Sequence, residues 1–126
     1  METHKLAILC APFRKRSAGD ITRMKRAKSE LLKRGWLPIF LPDTLVDVLD
    51  DDDDEQRVLA VAASSFFCRT MADFPDAEMV VVGLHMTVGM RSDVASWLDA
   101  GGPAPRNIAD VIFNGEKEEV DDGGNH

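Results

Sequence analysis

Two short stretches hold the residues best suited to chemistry. In the first, Arg14, Lys15 and Arg16 follow an apolar run and lead into Ser17, Gly19 and Asp20. Three adjacent cations ahead of a helix would attract an anion such as phosphate, because free N–H groups and the positive dipole end already favour one there. Ser17, Gly19 and Thr22 could add donors. In the second, His85, Thr87, Gly89 and Arg91 lead to Asp93. Either Ser92 and Asp93 cap the helix that begins there, or the turn presents the Asp93 carboxylate to a ligand. Gly89 suits a point where the backbone turns tightly or comes close to a ligand, while an acid in a helix's first turn is also stabilised by the dipole alone. His85 reads as structure as readily as ligand contact. The chain carries no GxGxxG and no Walker lysine, so the dinucleotide and P-loop fingerprints are missing.

The elements that must position these residues follow from pattern. Lys5 to Ala11, "KLAILCA", is apolar without helical period and reads as a buried strand. After a loop, Asp20 stands as an N-cap, and Ile21, Met24, Ala27, Leu31 and Leu32 recur at helical spacing until Gly35 ends the helix. "WLPIFLPD", Trp36 to Asp43, predicts a second strand kept short by two prolines. The acidic stretch 43–55 reads as a mobile connection. A helix from Glu55 to about Met71 would present Val58, Leu59, Ala62, Ser65 and Phe66 as its apolar face. A strand over Met79 to Leu84 and a helix to about Ala100 follow. "NIADVIF", Asn107 to Phe113, is a last strand or a short helix, and the tail 114–126 has little to pack and reads as disordered. The methionines at 71, 79, 86 and 90 read as packing.

This alternation predicts an α/β fold over residues 1–113: a small Rossmann-like or flavodoxin-like three-layer sandwich on a mainly parallel sheet of four to five strands. In such sheets ligands sit beyond the carboxyl ends of the strands. Both stretches singled out above fall at those ends.

Composition narrows the partners. The formal net charge of −7 argues against nucleic acid, since phosphate neutralisation needs surplus Lys and Arg. Charge is nevertheless segregated: nine of the fifteen basic residues lie between Arg14 and Arg34, and thirteen of the twenty-two acids lie in 43–55 and 116–122. No apolar run approaches the roughly 20 residues that cross a bilayer, and the opening "METHK" lacks a signal-peptide layout. A cytoplasmic protein without membrane partner is expected. Cys10 and Cys68 have no metal-like spacing, and Cys10 reads as core.

Taken together, "LAILCAPF" with its basic loop, "DITRMKRAKSELLKRGWLPIFLP" and "DAEMVVVGLHMTVGMRSDVASWLDAGG" resemble the nucleoside 2-deoxyribosyltransferase-like superfamily, especially its short phage and bacterial members of poorly defined function. Cys10-Ala11-Pro12-Phe13 and Asp20-Ile21 stand at the family's first motif. Asp76-Ala77 stands at its Asp-Ala pair, and Thr87, Gly89 and Asp93 stand where the family carries Ser-x-Gly-x-x-x-Glu. The resemblance spans Lys5 to Gly102. It implies hydrolysis or transfer at the N-glycosidic bond of a nucleotide or nucleoside, through a covalent glycosyl-aspartate on Asp93, with no metal or organic cofactor. It also implies a homo-oligomer, dimer or higher. The phosphate would meet Arg14, Lys15, Ser17 and Gly19, and the sugar would lie over Gly89, Arg91 and Asp93. Asp93 is one methylene, about 1.5 Å, shorter than the family's Glu. The chain has no Tyr, and Phe13 takes the place where many members carry a hydroxyl. Arg69 lies near the place of the family's leaving-group acid, and Asp73 falls a few residues late. These departures favour an alternative, a nucleotide-binding or regulatory module that kept the pocket and weakened the chemistry. A third reading makes the charged segments a recognition surface for another protein.

Overall fold

The computed structural model describes residues 2–50 and 52–113; the tail expected to be disordered lies outside them. Four strands form one parallel sheet: β1 (Lys5–Cys10), β2 (Trp36–Ile39), β3 (Ala77–Val81) and β4 (Arg106–Asn107), in the order β2-β1-β3-β4. Central β1 pairs with both neighbours, so that Ile8 faces Ile39 on one side and Met79 on the other. Side chains alternate across it. Ala7 and Leu9 pack with Met24, Ala27 and Leu31 of helix α1 (Ala18–Lys33), while Ile8 and Cys10 meet Cys68, Met90 and Trp97 from helices α3 (Asp54–Met71) and α4 (Val88–Asp99). Both faces of β1 are therefore buried, which is why it reads as a continuous apolar run. The result is a three-layer α/β sandwich with flavodoxin-like strand order.

Local chemistry accounts for the boundaries and corrects several expectations. Ser17, not Asp20, is the N-cap of α1: its hydroxyl accepts from the Asp20 amide at 3.1 Å while the Asp20 carboxylate accepts from the Ser17 amide at 2.9 Å. A capping box satisfies two orphan donors at once, so the helix starts earlier than a lone aspartate cap implies. Gly35 ends α1 in the left-handed region at φ +82°, as expected, and a Cβ there would lie 2.7 Å from the His4 ring.

β2 stops at Ile39 instead of running to Asp43, and a short helix α2 (Leu41–Leu45) follows. Pro42 falls in its first turn, where a missing N–H costs nothing. Pro38 is tolerated because β2 is an edge strand bonded only to β1. The ends of the acidic stretch belong to helices: Asp43 lies in α2 and pairs with Lys28, and Asp53 caps α3 by accepting the amides of Glu55 and Gln56.

The inward face of α3 differs from the one expected, except at Ser65, whose hydroxyl meets that of Ser96 on α4 at 2.6 Å. Val58, Leu59 and Phe66 are exposed, and Cys68, Phe67 and Met71 face the core. β3 ends at Val81, short of Leu84, and a backbone bond from Val82 to Cys10 closes its end. "NIADVIF" contributes only Asn107 to the two-residue strand β4 and is helical over 108–113. Among the described residues no helix is long and apolar enough to cross a membrane.

Candidate functional site

The chain leaves β1 for β2 through α1 on one side of the sheet, and reaches β3 through α3 on the other. The carboxyl ends of β1 and β3 thus flank a topological switch point, where α/β sheets open a crevice. A cavity of about 680 Å³ lies there, within the range of small-molecule sites. Ala11, Phe13 and Arg14 come to it from the β1–α1 loop; Phe40, Leu41 and Pro42 from the end of β2; Leu45 to Asp50 from α2 and the following turn; Arg57, Ala60, Val61 and Ser64 from α3; and Thr87 to Met90 with Ser92 and Asp93 from α4. Its wall is mostly apolar, with Phe13 and Phe40 edge to face at 5.9 Å.

Thr87 is the N-cap of α4, accepting from the Met90 amide at 3.2 Å. Ser92 and Asp93 are therefore not caps. Asp93 sits in the helix's second turn, and the first turn contains no acid. Gly89 is helical and not at a tight turn; a Cβ on it would meet only the Thr87 hydroxyl, at 3.9 Å.

The Asp93 carboxylate is half-buried and accepts from the Ser64 hydroxyl at 2.7 Å. Burial raises its pKa above the ordinary aspartate value, and the Ser64 hydrogen bond opposes that rise only in part. The helix N-terminus expected to keep this acid ionised is thus outweighed by desolvation. Beneath it, Cys10 and Cys68 are buried, and both thiols are pushed up to about 12, chiefly by desolvation and further by the neighbouring Asp93 charge. Such thiols are poor nucleophiles at neutral pH.

Of the residues singled out from sequence, the fold brings Phe13, Arg14, Thr87, Gly89 and Asp93 to one cavity. Cys10 lies below the floor, its thiol donating to the Met90 carbonyl at 3.5 Å. Pro12 is buried behind the wall, and His85 and Arg91 are exposed outside it. Lys15 is exposed with a left-handed backbone, φ +52°, and Arg16 turns back over the Phe13 ring at 4.8 Å. Ser17, Gly19 and Asp20 are not on the cavity. At the start of α1 the Asp20 carboxylate, held down to about 2 first by the Ser17 amide and then by Arg23, is already engaged with both.

Arg57, Asp50 and Ser64 were not legible as site residues. The available signal was the small-residue row Ala60, Ser64 and Cys68 at four-residue spacing, masked by the more hydrophobic row on the opposite side of α3. Among the described residues, no three His, Cys, Asp or Glu side chains are grouped so as to hold a metal ion.

No curated protein and no solved structure matches the chain. Residues 5–103, from the first residue of β1 to just past α4, match the family described as "Domain of unknown function (DUF7768)", and the chain belongs to that family.

Proposed function

We propose that the cavity binds a nucleotide or nucleoside and that Asp93 acts on its glycosidic carbon. The observation that carries this reading is one cavity at the switch point lined by both Arg14 and Asp93, with the Phe13 and Phe40 rings on its wall. In the first step a carboxylate oxygen of Asp93 bonds to the anomeric carbon as the C–N bond breaks. The electron pair leaves with the base, which takes a proton from solvent. In the second, water or another base bonds to the same carbon and gives up a proton to solvent as the carboxylate departs, free again as an anion. Only ionised Asp93 can begin, so its raised pKa limits the reaction on the acid side. The resemblance also implies a homo-oligomer, to be read by sedimentation of the same preparations.

The test is release of free base from nucleoside 5′-monophosphates and from nucleosides, followed by chromatography. Release by the wild-type chain and none by Asp93→Ala supports the reading; equal release by both removes Asp93 from it. A second reading, a binding or regulatory module, is favoured by the Ser64 bond that engages one Asp93 oxygen and by the burial that discourages its charge. It predicts thermal stabilisation by nucleotides with no base released at any protein concentration.

A further inference from the structure

The basic loop sends one cation to the cavity. At the start of α1 Asp20 already holds the Ser17 amide and Arg23, Arg16 lies over the Phe13 ring, and of the three adjacent cations only Arg14 lines the cavity. A second cation does reach it, from another layer. Arg57, in the first turns of α3, lines the same cavity. Four other arginines are engaged, Arg23 with Asp20 at 2.8 Å, Arg34 with Glu30 at 2.8 Å, Arg69 with Ser65 at 2.7 Å and Arg106 with Glu78 at 3.6 Å, while Arg26 and Arg91 are exposed away from the cavity. Among the described residues, the side chains of Arg14 and Arg57 make neither an ion pair nor a hydrogen bond.

We infer that Arg14 and Arg57 together form an anion grip at the cavity, and that the group it takes is a phosphomonoester. Two guanidinium groups, each able to bind two oxygens in a fork, match the two charges of a phosphomonoester better than the single charge of a carboxylate. Asp50 sets the opposing term. Among the described residues it is the one acid on the cavity besides Asp93, and its carboxylate accepts from the Asp52 amide at 2.9 Å. Asp50 weakens the hold on any anion in proportion to that anion's charge; where the two arginines outweigh it, a dianion gains about twice what a monoanion gains. The apolar wall of Phe13, Phe40, Leu45 and Val61 then takes the uncharged remainder of the molecule. The inference rests on the cavity being the ligand site, but not on Asp93 performing chemistry.

Calorimetric titration of the full chain with phenyl phosphate, and separately with benzoate, tests it. The wild type binds phenyl phosphate and binds benzoate at least about tenfold more weakly. Arg14→Ala and Arg57→Ala each weaken phenyl phosphate by about tenfold or more, the loss expected for a charged hydrogen-bonding partner. Asp50→Asn tightens it, and Arg26→Ala, on the exposed side of α1, leaves it unchanged. Arg57→Gln keeps the three-carbon stem without the charge and shows the same loss, which separates lost charge from lost packing of that stem. Failure of the wild type to bind phenyl phosphate at millimolar concentration overturns the inference. So does unchanged binding in Arg57→Ala, or benzoate bound as tightly. Base release from unphosphorylated nucleosides tests Asp93 without the grip, so a failure of the glycosidic reading leaves the grip standing.

Discussion

At the scale of single residues, Asp93 is where function and stability oppose each other. A carboxylate that folding removes from water keeps its proton to a higher pH in the folded chain than in the unfolded one. Between the ordinary aspartate value and the raised folded value, the folded state binds more protons, so stability falls as pH rises through that window. Asp93→Asn keeps the shape and removes the charge. We expect its midpoint of thermal unfolding at pH 7 to be higher than that of the wild type, and this part of the pH dependence to vanish; an unfolding series from pH 4 to pH 8 reads both. Ser64→Ala removes the hydrogen bond that favours the charged form, so the Asp93 titration, followed by carboxyl NMR shifts, moves further up. A midpoint that stays in place would show that the 2.7 Å contact does not tune the acid. For the thiols at about 12, native protein at pH 8 should resist alkylation until it is unfolded.

Among elements, α4 carries the candidate acid and Thr87 starts that helix. Thr87→Ala should cost about 1 kcal/mol, the usual worth of an N-cap, measured by denaturant unfolding. The helix would then begin less firmly, although Asp93 lies in its second turn. In α3 the apolar side chains Val58, Leu59 and Phe66 are exposed, while the side facing the cavity is built on Ala60 and Ser64. Choosing a helix's buried face by hydrophobicity fails when that face must leave room for a cavity, because small residues then do the packing. Val58→Ser should therefore change stability by no more than about 0.5 kcal/mol, a result that would be implausible if Val58 were core.

On the scale of the whole molecule, the sheet order decides where anything can bind. Both loops reach one crevice because β1 lies between β2 and β3, with helices on both faces. The far end of the sandwich is locked by Trp97, fully buried, whose ring N–H donates to the Pro103 carbonyl at 2.6 Å. Gly102 lies against that ring, and a Cβ there would come within 2.5 Å of it. Gly102→Ala should cost on the order of 1–3 kcal/mol through overpacking, with unfolding at lower denaturant and an unchanged anion affinity, since the cavity is lined by other residues.

Sequence alone determined what depends on neighbours along the chain. The apolar run of β1, the helical spacing of Met24, Ala27 and Leu31, the left-handed stop at Gly35 and the parallel α/β class all follow from local pattern. It also drew attention to Arg14 and Asp93, because strand ends in such a fold are where loops converge. Tertiary structure decided everything that depends on which side of an element faces inward. The orientation of α3 brought Arg57 and Ser64 to the cavity. Burial, set by all three layers at once, reversed the expected influence on the Asp93 charge. Hydrogen bonds between residues a few positions apart leave a pattern in sequence; solvent exclusion is a property of the assembled layers and leaves none.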